Sequence, residues 1–311
     1  MAYSSVAIIL VNWNTYDFSK SCLNQLKSIS YPNHKIFLVD NGSTDRSGQK
    51  LREEFPEVTF HQNQTNLGFT GGNNVGIKMA QQELFDYILL LNNDTYFDSL
   101  FLDPLVNYLD RNQGVGAVQP LIFEKEDSSK IWHAGGVIHK FKGKVESITQ
   151  ALSSEKPYET DWLTGCAFMV RRKLVDEIGP LKTTYFAYFE DVDWSLRIRE
   201  NGAMLYIIPA SVLYHEVSGS TKAKKKHREG FLSPINHYLN IRNQLLLLKS
   251  HPNQFVGISA WPFQTFKIIA YLSYFVIRFR FKKLRAGYHG LLDGIRHDPS
   301  SRKLPDIRAY L

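Results

Sequence analysis

The sequence predicts an α/β fold with a mainly parallel central sheet flanked by helices. Two observations predict it. Over the first 115 residues, short apolar runs alternate with segments whose apolar positions recur at helical spacing, the pattern of right-handed βαβ units. Each apolar run also stops on Asn, Asp or Gly, and ligands of open α/β sheets sit beyond the carboxyl ends of such strands.

Taken in order, "SVAIILVNWN" predicts the first strand, and "DFSKSCLNQLKSI" a helix with Phe18, Cys22, Leu26 and Ile29 on one face. "HKIFLVD" is the second strand. "NGSTDRSGQKLREEF" is a turn entering a helix, with Ser43, Thr44 or Asp45 as its cap. "VTFHQN" is the third strand, and "LGFTGGNNVGIKMAQQ" passes through glycines into a helix. "DYILLLNND" is the fourth strand, its run of apolar residues suited to burial on both faces. After about residue 115 the pattern changes. "GAVQPLIF", "IWHAGGVIHKFKGKVES" and "ETDWLTGCAFMVRR" predict short, partly antiparallel strands. "RRKLVDEIGPL" is a helix closed by Gly179 and Pro180. "EDVDWSLRIRENG" is a capped helix with Val192, Leu196 and Ile198 turned inward.

Composition narrows the function. Two cysteines, Cys22 and Cys166, imply no disulfide framework and suit a reducing compartment. The opening residues run straight into a strand, which predicts no secretory signal. A net charge of +7 points to a polyanionic partner, whether an anionic membrane or a phosphorylated substrate. No motif for nucleic acid is present, so none is expected as a partner. Ten of the Lys and Arg residues fall in "TKAKKKHR" at 221–228 and "RFRFKKLR" at 278–285. The lysine run at 222–226 is either a solvated loop or one that closes over a phosphorylated ligand.

The strand endings give the candidate site. The first carries Asn12 and Asn14, the second Asp40, the third Gly68, Gly71 and Gly72, and the fourth Asp94. A carboxylate such as Asp40 can accept bonds from a base N–H or from ribose hydroxyls. The glycines allow close backbone approach, and the following helix offers N–H groups to phosphate. Asp94 is a hard oxygen ligand suited to Mg2+ or Mn2+ on a diphosphate, although "NNDT" reads equally as a turn. "GFTGGNNVG" lacks the G-x-G-x-x-G spacing of dinucleotide-binding oxidoreductases and follows the third strand instead of the first.

Taken together, "VNWN", "LVDNGSTD", "NLGFTGGNNVG", "LLLNNDT", "WLTGCAFMVRR" and "YFAYFEDVDWSLRIRENG" resemble a family 2 glycosyltransferase of the GT-A fold, and within it the bacterial rhamnosyltransferase-like enzymes. The resemblance covers roughly residues 4–250. It implies a GT-A catalytic domain at 1–225, with a nucleotide-binding half at 1–115 and an acceptor half at 116–225, and a helical C-terminal region at 226–311. It implies donor contacts at Val11, Asn12, Asn14, Asp40, Asn41, Gly42, Asn66, Gly68, Gly72, Asn73 and Asn93. Acceptor contacts fall at Trp162, Thr164, Gly165 and Glu190, the catalytic base at Asp191, and metal ligands at Asp94 and His215. Relatives often carry a second acid before Asp94, where this chain has Asn92 and Asn93, so metal affinity is expected to be modest. The residues alone leave alternatives at several of these positions. Trp162 also suits core packing, and His215 a buried histidine at a strand end. Glu190, Asp191 and Asp193 suit a helix start, where the dipole favours acids and lowers their pKa values; Asp193 is read as a cap.

The function so implied is inverting, metal-dependent transfer of a sugar, rhamnose from dTDP-rhamnose, to a saccharide or lipid-linked acceptor of a cell-surface polysaccharide. A UDP-sugar donor, or a non-catalytic nucleotide- or carbohydrate-binding role on the same fold, is the alternative. The expected place is cytoplasmic, peripheral on the inner face of the plasma membrane. From Pro262 to Ile277 the aromatic- and aliphatic-rich stretch has about 16 residues, short of the ~20 that span a bilayer. That stretch suits an interfacial helix or one packed on the domain or on a second subunit in a homodimer.

Overall fold

The computed structural model describes residues 3–216, 232–299, 301 and 307; the basic run at 221–228 lies outside them. The elements follow as β1 (Val6–Asn12), α1 (Tyr16–Leu26), β2 (His34–Asp40), α2 (Ser47–Glu54), β3 (Thr59–Gln62), α3 (Gly68–Ala80), β4 (Tyr87–Leu91), β5 (Thr95–Phe97), α4 (Leu102–Arg111) and β6 (Val115–Glu124). Then come β7 (Ile131–His133), β8 (Gly136–His139), β9 (Lys144–Ser147), β10 (Tyr158–Glu159), β11 (Ala167–Arg171), α5 (Arg172–Ile178), α6 (Glu190–Glu200) and β12 (Met204–His215). Among the described residues three helices follow: α7 (Pro234–Ser250), α8 (Gly257–Ile277) and α9 (Phe281–Arg296).

The main sheet runs β10-β12-β6-β11-β4-β1-β2-β3, with β5 on β12 and β7 on β6. β4, β1, β2 and β3 are mutually parallel, as are β6 and β12. β11 enters antiparallel between β4 and β6. Period-two geometry explains why the strands read as unbroken apolar runs. Val6, Ile8 and Leu10 face a core shared with Leu23 of α1 and Leu105 of α4. Ala7 and Ile9 face another shared with Ile77 of α3, Val175 of α5 and Trp194 of α6. Both faces are covered, so no position is left for a polar residue, and each Leu or Ile buried contributes about 1.5–3 kcal/mol.

Local structure departs from the sequence reading at four places. α2 starts after Arg46, at φ 64°, instead of after a Ser or Thr cap, although Asp45 accepts the Ser47 N–H at 2.9 Å. The glycines of "GFTGGNNVG" lie inside α3, not before it. A Cβ on Gly76 would meet Ile9 at 2.4 Å, and one on Gly72 would meet Val11 at 2.8 Å, so these glycines let α3 lie against β1. α6 has no side-chain cap at all: Phe189, at φ 70°, precedes it. The apolar C-terminal stretch begins before Pro262 and forms one helix of 21 residues, with the proline about a turn inside, where its missing N–H removes only one backbone bond. Even so, no described helix is long and apolar enough to cross a membrane.

Asp193 is not a cap. It is fully buried in α6 and accepts from Lys182 Nζ at 2.9 Å and Arg197 Nε at 2.8 Å, with His251 Nε2 at 2.9 Å. The other His251 ring nitrogen lies 2.9 Å from Glu200, so the residue after α7 is fastened to α6. Burial pushes the Asp193 carboxyl up, but the His251 hydrogen bond and the Arg197 and Lys182 charges outweigh it and hold the group well below the usual range. A depressed carboxyl stabilises the fold above its unfolded value of about 3.9, and that contribution fades as pH falls through the folded value. Asp193→Asn, which strands the buried His251 and the partly exposed Lys182 and Arg197, is expected to cost about 3 kcal/mol in urea denaturation at pH 7. A loss below about 1 kcal/mol would remove Asp193 from this role.

Candidate active site

The polar strand endings meet along one edge of the sheet, but most of their polar atoms are already used. Asn12 and Asp40 are opposite each other in the β1–β2 register and carry no exposed surface. Asn12 Nδ2 donates to Asp40 Oδ1 and to Ser47 Oγ, both at 2.8 Å. Asp40 also accepts from Ser43 Oγ at 2.6 Å and Ser43 N–H at 3.1 Å. These two residues shape the loop after β2 and leave Asp40 turned inward. Asn14, exposed at φ 55°, accepts the Thr44 N–H at 2.8 Å. Val11 is half-buried against α3.

Asn41 ties the next loop to this one. Its amide donates to Asn66 Oδ1 and Gly68 O, both at 3.0 Å, and its oxygen accepts the Leu67 N–H at 3.1 Å. Gly42 and Gly68 take φ 75°, where side chains are disfavoured, and a Cβ on Gly42 would meet the Thr65 backbone at 2.5 Å. Asn73 is buried and donates to Phe69 O at 2.9 Å. The start of α3 is not an open phosphate cradle. Asn66 accepts the Gly68 N–H at 2.8 Å, and the Thr70 N–H donates to Phe186 O at 3.1 Å.

Beyond β4, Asn93 donates to Thr15 Oγ1 at 2.8 Å and Ser19 Oγ at 2.7 Å. Asp94 differs from every residue so far. Its Oδ1 is buried without a hydrogen-bond partner, yet lies 3.2 Å from Nε2 of His215 at the end of β12. That is ion-pair range but out of line for a hydrogen bond. His215 Nδ1 is likewise buried and unpaired, and Trp132 packs on the ring at 4.3 Å between centroids. A carboxylate oxygen and an imidazole both lacking aligned partners fit a hard divalent cation. No third His, Cys, Asp or Glu joins them among the described residues.

β11 begins beside this pair, with Ala167 opposite Leu91. Just before it, Gly165 N–H donates to Asp191 Oδ2 at 3.0 Å, and Val192 N–H to Asp191 Oδ1 at 2.8 Å. Thr164 N–H goes to Gln119 Oε1 at 2.7 Å. Trp162 is buried against Gly136, its ring 4.8 Å from His133. Glu190 is buried with Oε2 unpaired. The two acids at the start of α6 do not have lowered pKa values. Burial, then the neighbouring Asp191 charge, lifts Glu190 well above the usual range. Burial also lifts Asp191, against the Gly165 and Val192 N–H groups that favour its anion. Desolvation outweighs the helix dipole here. Two backbone N–H groups favour the Asp191 anion, whereas Glu190 Oε2 has no such partner.

The sequence reading missed the residues that hold this turn. Phe186, Tyr188 and Phe189 have φ of 65–70°. Asn243 of α7 donates to Tyr185 O at 3.0 Å and to Ala187 O and Tyr188 O at 2.9 Å. Arg242 donates to Thr184 O at 2.8 Å. The available signal was "IRNQ", three polar residues amid leucines of a buried helix. Both cysteines are buried thiols, Cys22 pushed up to about 12 by burial, so neither serves as a nucleophile.

A sequence model described as Glycosyl transferase family 2 matches residues 7–179, over half of the chain. The chain belongs to family 2 of the glycosyltransferases. It is 25% identical over 215 residues to an N-acetylglucosaminyl-diphospho-decaprenol L-rhamnosyltransferase of Mycobacterium tuberculosis, covering 62% of this chain and 70% of the relative. It is 21% identical to a dTDP-rhamnosyl transferase of Shigella flexneri, covering 76% and 78%. The fold is GT-A. GalNAc-T7 with UDP, GalNAc and Mn2+ superposes with a TM-score of 0.61 at 14% identity, over 79% of this chain and 48% of that one. This family 2 chain thus spans about half the length of that protein. A mannosyltransferase from Pyrobaculum calidifontis with GDP-Man and Mn2+ gives 0.57 at 15% identity, over 95% and 74%.

The Glu190 assignment has a direct test. A carboxyl raised by burial makes the folded state bind more protons than the unfolded one, so stability falls as pH rises above about 4.3. Denaturation of the wild type and Glu190→Gln across pH 4–8 should show the variant gaining on the wild type as pH rises. A constant difference would mean that Glu190 titrates normally.

Proposed function

We propose that the chain is a metal-dependent, inverting glycosyltransferase that moves rhamnose from dTDP-rhamnose to a saccharide or lipid-linked acceptor of a cell-surface polysaccharide. The observation that carries the reading is the unpaired Asp94–His215 couple at the same sheet edge as Asp191, separated from it by Gly165 and Cys166. The catalytic domain is read as 1–225, with a nucleotide-binding half at 1–115 and an acceptor half at 116–225, and the helical region as 226–311. The rhamnosyl donor is supported by the names of the mycobacterial and Shigella relatives. A UDP-sugar is the second reading, favoured by the UDP in the GalNAc-T7 complex. The lipid-linked acceptor in the mycobacterial name supports a place on the cytoplasmic side, at the inner face of the plasma membrane.

In this reading Asp94 and His215 would hold Mg2+ or Mn2+. Such an ion would neutralise charge on the departing diphosphate. The remaining steps belong to the chain. Trp162, Thr164 and Gly165 line the acceptor side, and Glu190, kept protonated by burial, donates a hydrogen bond that orients the acceptor hydroxyl. That hydroxyl attacks the anomeric carbon as the bond to the diphosphate breaks, and Asp191 takes its proton. A single displacement inverts the anomeric centre. The loops around Val11, Asn14, Asn41, Gly42, Asn66, Gly68, Gly72, Asn73 and Asn93 form the donor's side of the cleft, with Asn12 and Asp40 bracing them from beneath.

Thermal unfolding with a panel of nucleotide sugars tests this. At 100-fold excess over Kd a true donor should stabilise the protein by ~2.7 kcal/mol, with dTDP-rhamnose shifting most and only with Mn2+ present. Asp94→Ala should remove the Mn2+ dependence. Asp191→Asn should abolish transfer while keeping the donor shift; loss of both would displace Asp191 as the base. No shift with any nucleotide sugar would overturn the reading.

A further inference from the structure

The outer face of α8 is mostly apolar, with Thr265 and Ser273 the exposed hydroxyl residues among its aliphatic and aromatic ones. Ala260, Gln264, Ile268 and Phe275 turn inward and are buried. Ile258, Phe266, Ile269, Val276 and Ile277 turn outward and are exposed, Phe266 and Ile277 each by 73%. Lys267 is the single charged residue of the helix. Past its end the chain becomes basic, with Arg278, Lys282 and Arg285 exposed beside Phe279 and Phe281. A contiguous apolar surface of this kind on a folded protein marks an interaction site.

The same surface continues onto the β8–β9 hairpin of the acceptor half. Gln264 Nε2 donates to Lys142 O at 2.9 Å and Gly143 O at 3.1 Å, and Val256 N–H to Lys140 O at 3.1 Å. The Lys142 ammonium lies 5.9 Å above the Phe263 ring. The hairpin tip, Lys140-Phe141-Lys142, therefore stands beside the first half of α8, with Phe141 exposed by 70%. From Gly257 to Leu292 the sequence has no Asp or Glu, and neither does the tip from His139 to Val145. A second copy of this face would bring cations against cations with no carboxylate to meet them. Lipid phosphates supply the missing negative charge.

We propose that α8, the basic turn after it and the tip of the β8–β9 hairpin together dock on an anionic lipid bilayer. α8 lies in the interface plane, with Phe141, Phe266 and Ile269 at the headgroup–acyl boundary. Lys140, Lys142, Arg278 and Arg285 meet the phosphates. Gly136 of the same hairpin bridges to Trp162, so docking turns the acceptor half toward the bilayer. Only that last step rests on the lipid-linked acceptor proposed above; the docking itself does not.

The test is sedimentation of the full chain with vesicles of phosphatidylcholine, with or without phosphatidylglycerol. Binding is expected to the phosphatidylglycerol vesicles and to weaken with salt. Phe266→Asp with Ile269→Asp, Phe141→Asp, and Arg278→Glu with Arg285→Glu should each lower vesicle affinity by roughly tenfold or more. Their Tm and Mn2+-dependent donor shift should match the wild type; if the aspartates lower the Tm, serines at 266 and 269 replace them. No nucleotide sugar is needed for vesicle binding, so it survives if the donor assignment fails, and the reverse holds too. Absence of wild-type binding to either vesicle would overturn the proposal. So would a dimer in analytical ultracentrifugation that Ile269→Asp dissociates while vesicle binding is absent, since a second copy would then own the face.

Discussion

The side-chain amide of Asn243 holds the turn that leads into Glu190 and Asp191. Phe186, Tyr188 and Phe189 all sit at positive φ, which costs about 1–3 kcal/mol for each non-glycine residue. Three carbonyls of that turn point at Asn243, and a fourth, of Phe186, accepts the Thr70 N–H at the start of α3. The strained backbone thus persists because α7 and α3 clamp it from two sides. With the turn fixed, α6 starts where Asp191 can reach Gly165, and Asp193 can be wired to His251. The catalytic geometry proposed here therefore depends on a helix far along the chain from the nucleotide-binding strands.

The pair at the head of α6 shows how neighbouring acids can take different roles. Glu190 is buried, has no partner for Oε2 and lies beside Asp191, which together raise its pKa. Asp191 has two backbone N–H groups, which favour its anion. Helix dipoles act on both alike. Hydrogen bonding separates them.

Much of the sheet was legible because its strands are buried on both faces. "VAIILV" and "YILLL" could be little else once helices had to cover each side, whereas the antiparallel insertion of β11 between β4 and β6 had no signal in the sequence. Asp94 was legible too, as a carboxylate at the end of such a strand. Other features were hidden because the deciding partner lies far away in sequence. Gly72 and Gly76 look like a ligand loop until Val11 and Ile9 are seen pressed against them. Asp193 looks like a helix cap until Lys182, Arg197 and His251 converge on it. Asp40 looks available until Asn12 and Ser43 occupy it. Asn243 carried almost no local signal, since one polar residue in a leucine-rich helix does not say what it binds.

The clamp from α7 also bears on how such chains could be recombined. The family match ends at residue 179, ahead of α6 and well ahead of Asn243. A hybrid that joins the matched segment to the tail of a relative would keep β1 to β11 and Asp94, but would take β12 and the position of His215 from the relative. The turn at 184–188 and the helix that clamps it would both come from the relative, and the incoming acid at the head of α6 would have to meet the retained Gly165 N–H. A segment exchanged between relatives should accordingly be taken as a block that includes both the turn at 184–188 and α7.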